Sequence, residues 1–355
     1  MMRLVALAAL AASACGTFEE PSIVLDLRVI AMRTDIGMSP TKADQVIDVD
    51  LDTMPQISEL LSQLRDTAVT AWVADPGGAE EDPLLWSMTL CLPDEEGRCD
   101  RGLPHIEFGA SVIDDPEGAA VAQRPFAIIT PTDPATGSTI VAMLVEAIDE
   151  NPVNALGGVD LMIELRIGRV SAPREDDIYA AKKLRIAPRV PIERAANTNP
   201  SITGIETAIN GFTKVDNFGS EFGLSVRCGD KGFNGAYGDR ALVEKALVNP
   251  GDAVTLFPNE ASGTREDYAV PGLDGKTIIL EESISYQWLA TYGGWSDETT
   301  GGGHDILGNQ SLLGSDWTAP FIGNRDHLDV SIWMIQRDER FGVTPIETCL
   351  TVVNP

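Results

Sequence analysis

Val159-Asp160-Leu161-Met162-Ile163-Glu164-Leu165-Arg166-Ile167 places an aliphatic residue at every second position, with Asp160, Met162, Glu164 and Arg166 between them. In an extended chain successive side chains point to opposite faces, so this stretch reads as a strand with one face to bury. The alternation recurs in Leu25, Leu27, Val29 and Ala31, in Ile47, Val49 and Leu51, and in Trp86, Met88 and Leu90. It returns in Ile284, Tyr286, Trp288 and Ala290 and in Leu328, Val330, Ile332 and Met334. Among 355 residues there are 33 Gly and 22 Pro, which favours short elements joined by turns over a helical bundle. The expected fold is mainly β, with two antiparallel β-sandwich domains. One segment departs from this: Ile57, Leu60, Leu61 and Leu64 fall at helical spacing, so Gln56 to Asp66 reads as a short amphipathic helix lying as a lid on a sheet. Asp100 to Thr139 matches no standard strand spacing and marks the first domain as elaborated, with long loops.

A boundary falls near 190–200. The strand Ala180 to Ala187 runs into Pro188-Arg189-Val190-Pro191, a polar connector follows through Asn197-Thr198-Asn199-Pro200, and alternation restarts at Ile202. The expected domains are 23–194, elaborated, and 199–355. Ala68-Val69-Thr70 before Trp86 is echoed by Ala253-Val254-Thr255 before Trp288, at a different spacing, which suggests a shared topology and not a demonstrated repeat.

The second half resembles bacterial immunoglobulin-like and PKD-like domains. Gly251 to Leu256 is similar to their turn and B strand, Ser285-Tyr286-Gln287-Trp288 to their Tyr-x-Trp C strand, and Trp317-Thr318-Ala319-Pro320 to the end of their E strand. Val330–Gln336, the turn Arg337-Asp338-Glu339-Arg340-Phe341-Gly342 and Thr344–Val353 resemble the closing hairpin. In the first half the likeness rests on the opening strand Leu25 to Val29, Val73-Ala74-Asp75-Pro76-Gly77-Gly78 and Trp86. The whole chain resembles uncharacterised outer-membrane lipoproteins of this design, which implies a fold and an address but no chemistry.

The address is written at the N-terminus. Arg3 precedes an apolar stretch from Leu4 to Ala12, followed by Ser13-Ala14-Cys15, the plan of a secretory signal. The stretch is too short to span a bilayer, which takes about 20 residues. Ala12-Ser13-Ala14-Cys15 resembles the lipobox of bacterial lipoproteins, with Ala12 where the family usually has Leu. That resemblance implies a signal peptide over 1–14, lipidation of Cys15, a tether over 15–22 and, with Gly16 instead of an Asp, the outer membrane. The bland alternative is an ordinary secretory signal with an incidental Cys. The longest remaining apolar run, Ile140 to Val145, is far too short to span.

The chain carries a formal charge of −28, and losing Arg3 with the signal takes it to −29. Such a balance repels phosphate backbones, so nucleic acid is not an expected partner. The partners expected from the address are the membrane that holds the lipid anchor and an envelope protein or a carbohydrate. Beyond Cys15, four cysteines in an exported chain suggest two disulfides. The short turn between Cys91 and Cys99 makes these two a local bridge, leaving Cys228 to Cys349, a loop worth about 4–5 kcal/mol in the chain-entropy picture. No nucleophile elbow, zinc pair or phosphate loop is present, and His105, His304 and His327 are scattered.

Two sharper candidates stand out. Asp48, Asp50 and Asp52 share one strand face about 6.5–7 Å apart, a set that can gather around Ca²⁺, or form a solvated edge that discourages edge pairing. The loop Thr291 to Ser315 displays Tyr292, Trp295, Asp297, Glu298 and His304 among glycines, a pattern suited to ligand binding, or a passive insertion. Acid pairs such as Glu281-Glu282 read as solvated loop charge. No catalytic residue and no resident cofactor is expected. The functional expectation is a lipid-anchored, non-catalytic binding, adhesion or structural module, the alternative being a carbohydrate-active envelope enzyme with a site in the first domain.

Overall fold

The computed structural model describes residues 21–37, 41–48, 57–76, 82–95, 97–99, 102–113, 122–123, 125–210, 212–214, 246–272, 275–303 and 311–355. Strands dominate, as the alternation requires. The first half contains β1 (Arg28–Ile36), β2 (Gln45–Ile47), β3 (Thr67–Ala74), β4 (Leu84–Cys91), β5 (His105–Ile113), β6 (Ala122–Gln123), β7 (Phe126–Ile129), β8 (Val159–Arg169) and β9 (Ile178–Pro188). One sheet pairs β1 with β3, and β3 with both β6 and β7; the other runs β2-β9-β8-β4-β5. Their facing sides bury Val69, Met88, Leu90, Leu161, Ile163 and Leu165 almost completely, with Trp86 beside them.

The second half contains β10 (Ile202–Ile209), β11 (Phe212–Lys214), β12 (Ala246–Val248), β13 (Ala253–Glu260), β14 (Asp267–Pro271), β15 (Thr277–Glu281), β16 (Ile284–Ala290), β17 (Gly294–Trp295), β18 (Thr299–Gly302), β19 (Ser315–Thr318), β20 (His327–Asp338) and β21 (Val343–Val353). Its sheets run β11-β10-β13-β19-β17 and β12-β21-β20-β16-β18, while β14 and β15 form a separate two-stranded ribbon. Trp288 and Trp317, one from each sheet, are fully buried between them. In the first half β1-β3-β7 stand against β5-β4-β8-β9-β2; in the second, β10-β13-β19 stand against β18-β16-β20-β21-β12. In both, a short strand lies parallel to the last long one, β2 on β9 and β12 on β21. The weak sequence echo between halves therefore reflects one immunoglobulin-like sandwich topology used twice.

The helical content exceeds the expectation. The segment read as Gln56 to Asp66 is α1 (Ile57–Gln63), seven residues long; Leu60 within it and Leu64 just beyond it are buried. A longer helix, α2 (Pro134–Glu150), and a single turn, α3 (Asn154–Gly157), were not anticipated. Asp133 caps α2 by accepting from the Thr136 amide, and Pro134 opens it, where its missing N–H leaves nothing unpaired. Ile140, Met143, Leu144 and Ala147 then fall on one buried face. α2 sits between β7 and β8, where the other sandwich needs only residues 319–326 to join β19 to β20. The stretch Asp100 to Thr139 likewise contains β5, β6 and β7, so it is built of strands and not of long loops alone. Cys91 and Cys99 are bonded as expected. Cys349 is also disulfide-bonded, whereas Cys228, its expected partner, and Cys15 lie outside the described residues.

A third apolar cluster joins the halves. Ile30, Ala31 and Ala74 of the first sandwich pack on Leu289, Trp333, Ile335 and Val343 of the second. β16 and β20 are thus covered on both faces: Trp288 and Met334 point into the second sandwich, Leu289 and Trp333 toward the first. A bulge between Val29 and Ala31 breaks the alternation of β1, letting Ile30, Ala31 and Met32 all be buried. The start of the chain also belongs to this joint. The Val24 amide donates to Ala290 O at 2.8 Å, and the Ala290 amide donates to Ser22 O at 2.9 Å. Residues expected to open the first domain therefore run along the second.

Candidate functional site

The segment from Thr291 to Ser315 is more ordered than a display loop. β17 and β18 lie within it, pairing with β19 and β16. Trp295 is half-buried, its ring 5.3 Å from that of Trp288, so it lines the core instead of offering a flat platform. Its indole N–H finds no acceptor among the described residues. Tyr292 is exposed, and its carbonyl accepts from the Trp317 indole at 2.9 Å. Gly293, at φ +93°, serves close approach: a Cβ there would lie 2.4 Å from Trp317 Nε1 and 2.6 Å from Thr318 O. Asp297 is exposed, and Glu298 accepts from Ser22 Oγ at 3.0 Å, tying the segment to the N-terminal strand. His304 lies outside the described residues. The structure thus turns Trp295 to the core of the second sandwich and leaves Tyr292, Asp297 and Glu298 exposed.

Of the expected calcium face only Asp48 is described. β2 ends at Ile47, and Asp48 beyond it pairs with Arg189. Asp50 and Asp52 lie outside the described residues. Among the described residues no three metal-ligating side chains converge. A shallow groove lined by Leu103, Ala142, Val145, Glu146, Asp149 and Glu150 crosses the outer side of α2.

Ionisable side chains converge instead at the joint between the sandwiches. Arg340, in the β20–β21 turn, donates to Glu282 at 2.9 Å and to Glu266 at 2.6 Å. The Glu282 side chain is 0% exposed, so reading Glu281-Glu282 as a solvated pair holds only for Glu281. Asp338 accepts from the amides of Arg340 and Gly342 at 2.8 and 2.7 Å, and from Asn197 Nδ2 at 3.0 Å. Asp44, from the first half, accepts from the Asn197 amide at 2.6 Å. Asn199 reaches the other way, donating to Thr34 O at 2.7 Å and accepting from the Val343 amide at 3.0 Å. The polar connector therefore buries Asn197 and Asn199 and is hydrogen-bonded through them to both halves. Lys182 of β9 donates to the Phe341 carbonyl, and Lys183 and Arg185 stand over the Phe341 ring at 5.1 and 5.2 Å. Phe341 takes φ +75°, unusual for a residue with a side chain, and these contacts hold it there.

Burial sets the electrostatics. Desolvation, with Asp338 nearby, pushes the Glu282 carboxyl up to about 7 despite its bond to Arg340. Desolvation likewise raises Asp44 and Asp338, and it depresses the Lys182 ammonium to about 8. Burial pushes Glu266 upward too, but the Thr198 hydroxyl and amide donate to it and hold it below the usual range. A carboxyl raised in the folded state contributes stability that is complete below its unfolded value and is lost as pH rises through its folded value. Stability should therefore fall by roughly 2 kcal/mol between pH 5.5 and 8 from Glu282 alone. Urea denaturation at the two pH values measures this. In Glu282→Gln most of the difference should vanish, and a slope unchanged in that variant would rule Glu282 out as its source.

Perturbed carboxylates often mark chemistry, but here the Glu282 side chain is fully buried and bonded to Arg340. The joint is a structural clasp. It went unread because no single motif carries it: its members come from six segments between Asp44 and Arg340. The one local signal was Asp338 to Gly342, an acid followed at i+2 by Arg and at i+4 by Gly, the pattern of a turn closed by its own carboxylate.

No protein family matches the chain, and no curated protein matches it in sequence. Among solved structures, dimeric latent PorU from Porphyromonas gingivalis aligns over 93% of this chain and 24% of its own, at 11% identity and a TM-score of 0.18. The chain thus spans about a quarter of that protein's length, and a likeness at this level carries no weight for fold or function.

Proposed function

We propose that the protein is a lipoprotein held to the outer membrane through Cys15 and acts as a non-catalytic extracytoplasmic module, structural in its joint and binding at its surface. The observation that carries this reading is the clasp: the two sandwiches share a buried apolar cluster and a buried ionic network, an arrangement that would hold them as one stiff body and suit a spacer or scaffold. Ser22 is pinned to the end of β16, and the seven steps of chain from Cys15 to Ser22 reach at most about 25 Å. The Tyr292–Glu298 edge would then face the membrane, leaving partner capture to other surfaces. Cys15→Ser is expected to move the protein from the membrane fraction to the soluble periplasmic fraction. Continued detergent-dependent fractionation of that variant would overturn the anchoring.

A further inference from the structure

β15 is an unblunted edge. Ile278, Ile279 and Leu280 are consecutive aliphatic residues, 45%, 57% and 41% exposed, and every residue of the strand is exposed. It pairs with β14 alone, from Asp267 opposite Glu281 to Pro271 opposite Thr277. Its outer edge carries no ladder among the described residues. A two-stranded ribbon is marginal by itself in water, and three strands are the usual minimum. This ribbon is held in place by other means: Tyr268 donates to Glu339 at 2.6 Å, the Arg340 guanidinium covers the Tyr268 ring at 4.7 Å, and Thr277 donates to Glu193 at 3.2 Å. The strand is therefore both ordered and open, the combination that proteins normally avoid with lysines, prolines or a cover.

The charge at one end indicates what fits. Asp267 and Glu281 stand directly opposite each other, both exposed, a cross-strand like-charge pair that costs stability. Neither makes an ion pair among the described residues. Arg265, which feels Glu281, is already held by Glu260 at 2.7 and 2.9 Å. A basic segment laid along this end would relieve the like-charge pair.

We propose that β15 is the docking edge for an extended segment of a partner protein, apolar at its centre and carrying lysine or arginine at the end that meets Asp267 and Glu281. The segment would add a third strand by main-chain hydrogen bonds, with the aliphatic stripe and the acidic pair setting its composition. This takes up the binding half of the function proposed above and assigns it a surface. The two fail separately, because Cys15→Ser tests anchoring while the following assay uses the full chain in detergent and reads binding alone.

The probe is a ten-residue synthetic peptide of alternating valine and threonine ending in two lysines, compared with its glutamate-ended counterpart and with a lysine-ended form N-methylated at alternate amides. Fluorescence anisotropy is expected to give saturable binding of the first at least tenfold tighter than of the other two. Glu281→Lys with Asp267→Lys should reverse the preference between lysine and glutamate ends, at unchanged thermal midpoint. Equal binding of both ends, binding that survives N-methylation, or no binding would each overturn the proposal. So would self-association of the chain that competes with the lysine peptide for this edge, which would assign the edge to a second copy.

Discussion

Arg340→Met is expected to cost about 3–5 kcal/mol of unfolding free energy, because it removes the cation from a buried pair and leaves the carboxylates in place. The Glu282 side chain is fully buried and that of Arg340 is 14% exposed, so solvent does little to screen the loss. Glu266 and Asp338 would add their repulsion, and the Glu282 carboxyl, already raised by burial, would lose the Arg340 contact that holds it down. Chemical denaturation at pH 8 should show the full loss, and at pH 5.5 part of it should be restored as the stranded acids take up protons. A second variant separates the missing cation from the missing side chain: Glu282→Gln added to Arg340→Met should recover a substantial part of the stability. A loss below about 1 kcal/mol for Arg340→Met would mean that the pair behaves as a solvated one.

Trp288→Ala should be comparably severe, about 3–5 kcal/mol, since the indole is completely buried between the sheets of the second sandwich. The deletion also strands a hydrogen-bond chain: Trp288 Nε1 donates to Thr300 Oγ1 at 2.9 Å, and Thr300 donates to Leu313 O at 2.6 Å. Trp295 would lose its ring partner. Trp295→Ala, at a half-buried position, should cost clearly less, and the ratio of the two losses, read from denaturation midpoints at fixed slope, checks the placement of each ring. Equal losses would indicate that Trp295 is as central to the core as Trp288.

The sandwiches were readable because their strands alternate, and alternation reports one buried face. The same rule hid the joint. In β20, Leu328, Val330, Ile332 and Met334 mark the face toward the second core, but Ser331-Ile332-Trp333-Met334-Ile335 is nearly continuous in apolar character, the pattern of a strand covered on both sides. Trp333 and Ile335 were the visible trace of a neighbouring domain. α2 was hidden differently. Gly137 and two threonines lower its helix propensity, and Ile140 to Val145 is apolar without an interruption that would mark a period, so its identity rests on the Asp133-Pro134 start and on packing. Gly137 is required there, since a Cβ would meet Pro131 O at 2.5 Å and Leu61 at 2.9 Å. The loop after β16 was read from its glycines as freedom, whereas Gly293 is there because Trp317 leaves no room. Charge was the least legible property: Glu281 and Glu282 are neighbours of one type in sequence, and only the turn of the backbone sends one to water and the other beneath Arg340.

The central claim is that the two sandwiches are locked by this clasp into one stiff body. Spin labels at Ser111→Cys on β5 and Thr299→Cys on β18, both exposed positions on different sandwiches, report it directly through a pulsed dipolar distance distribution at pH 6. The account predicts a single narrow distance that broadens when Arg340→Met is introduced. A broad or bimodal distribution in the otherwise unaltered chain would contradict it.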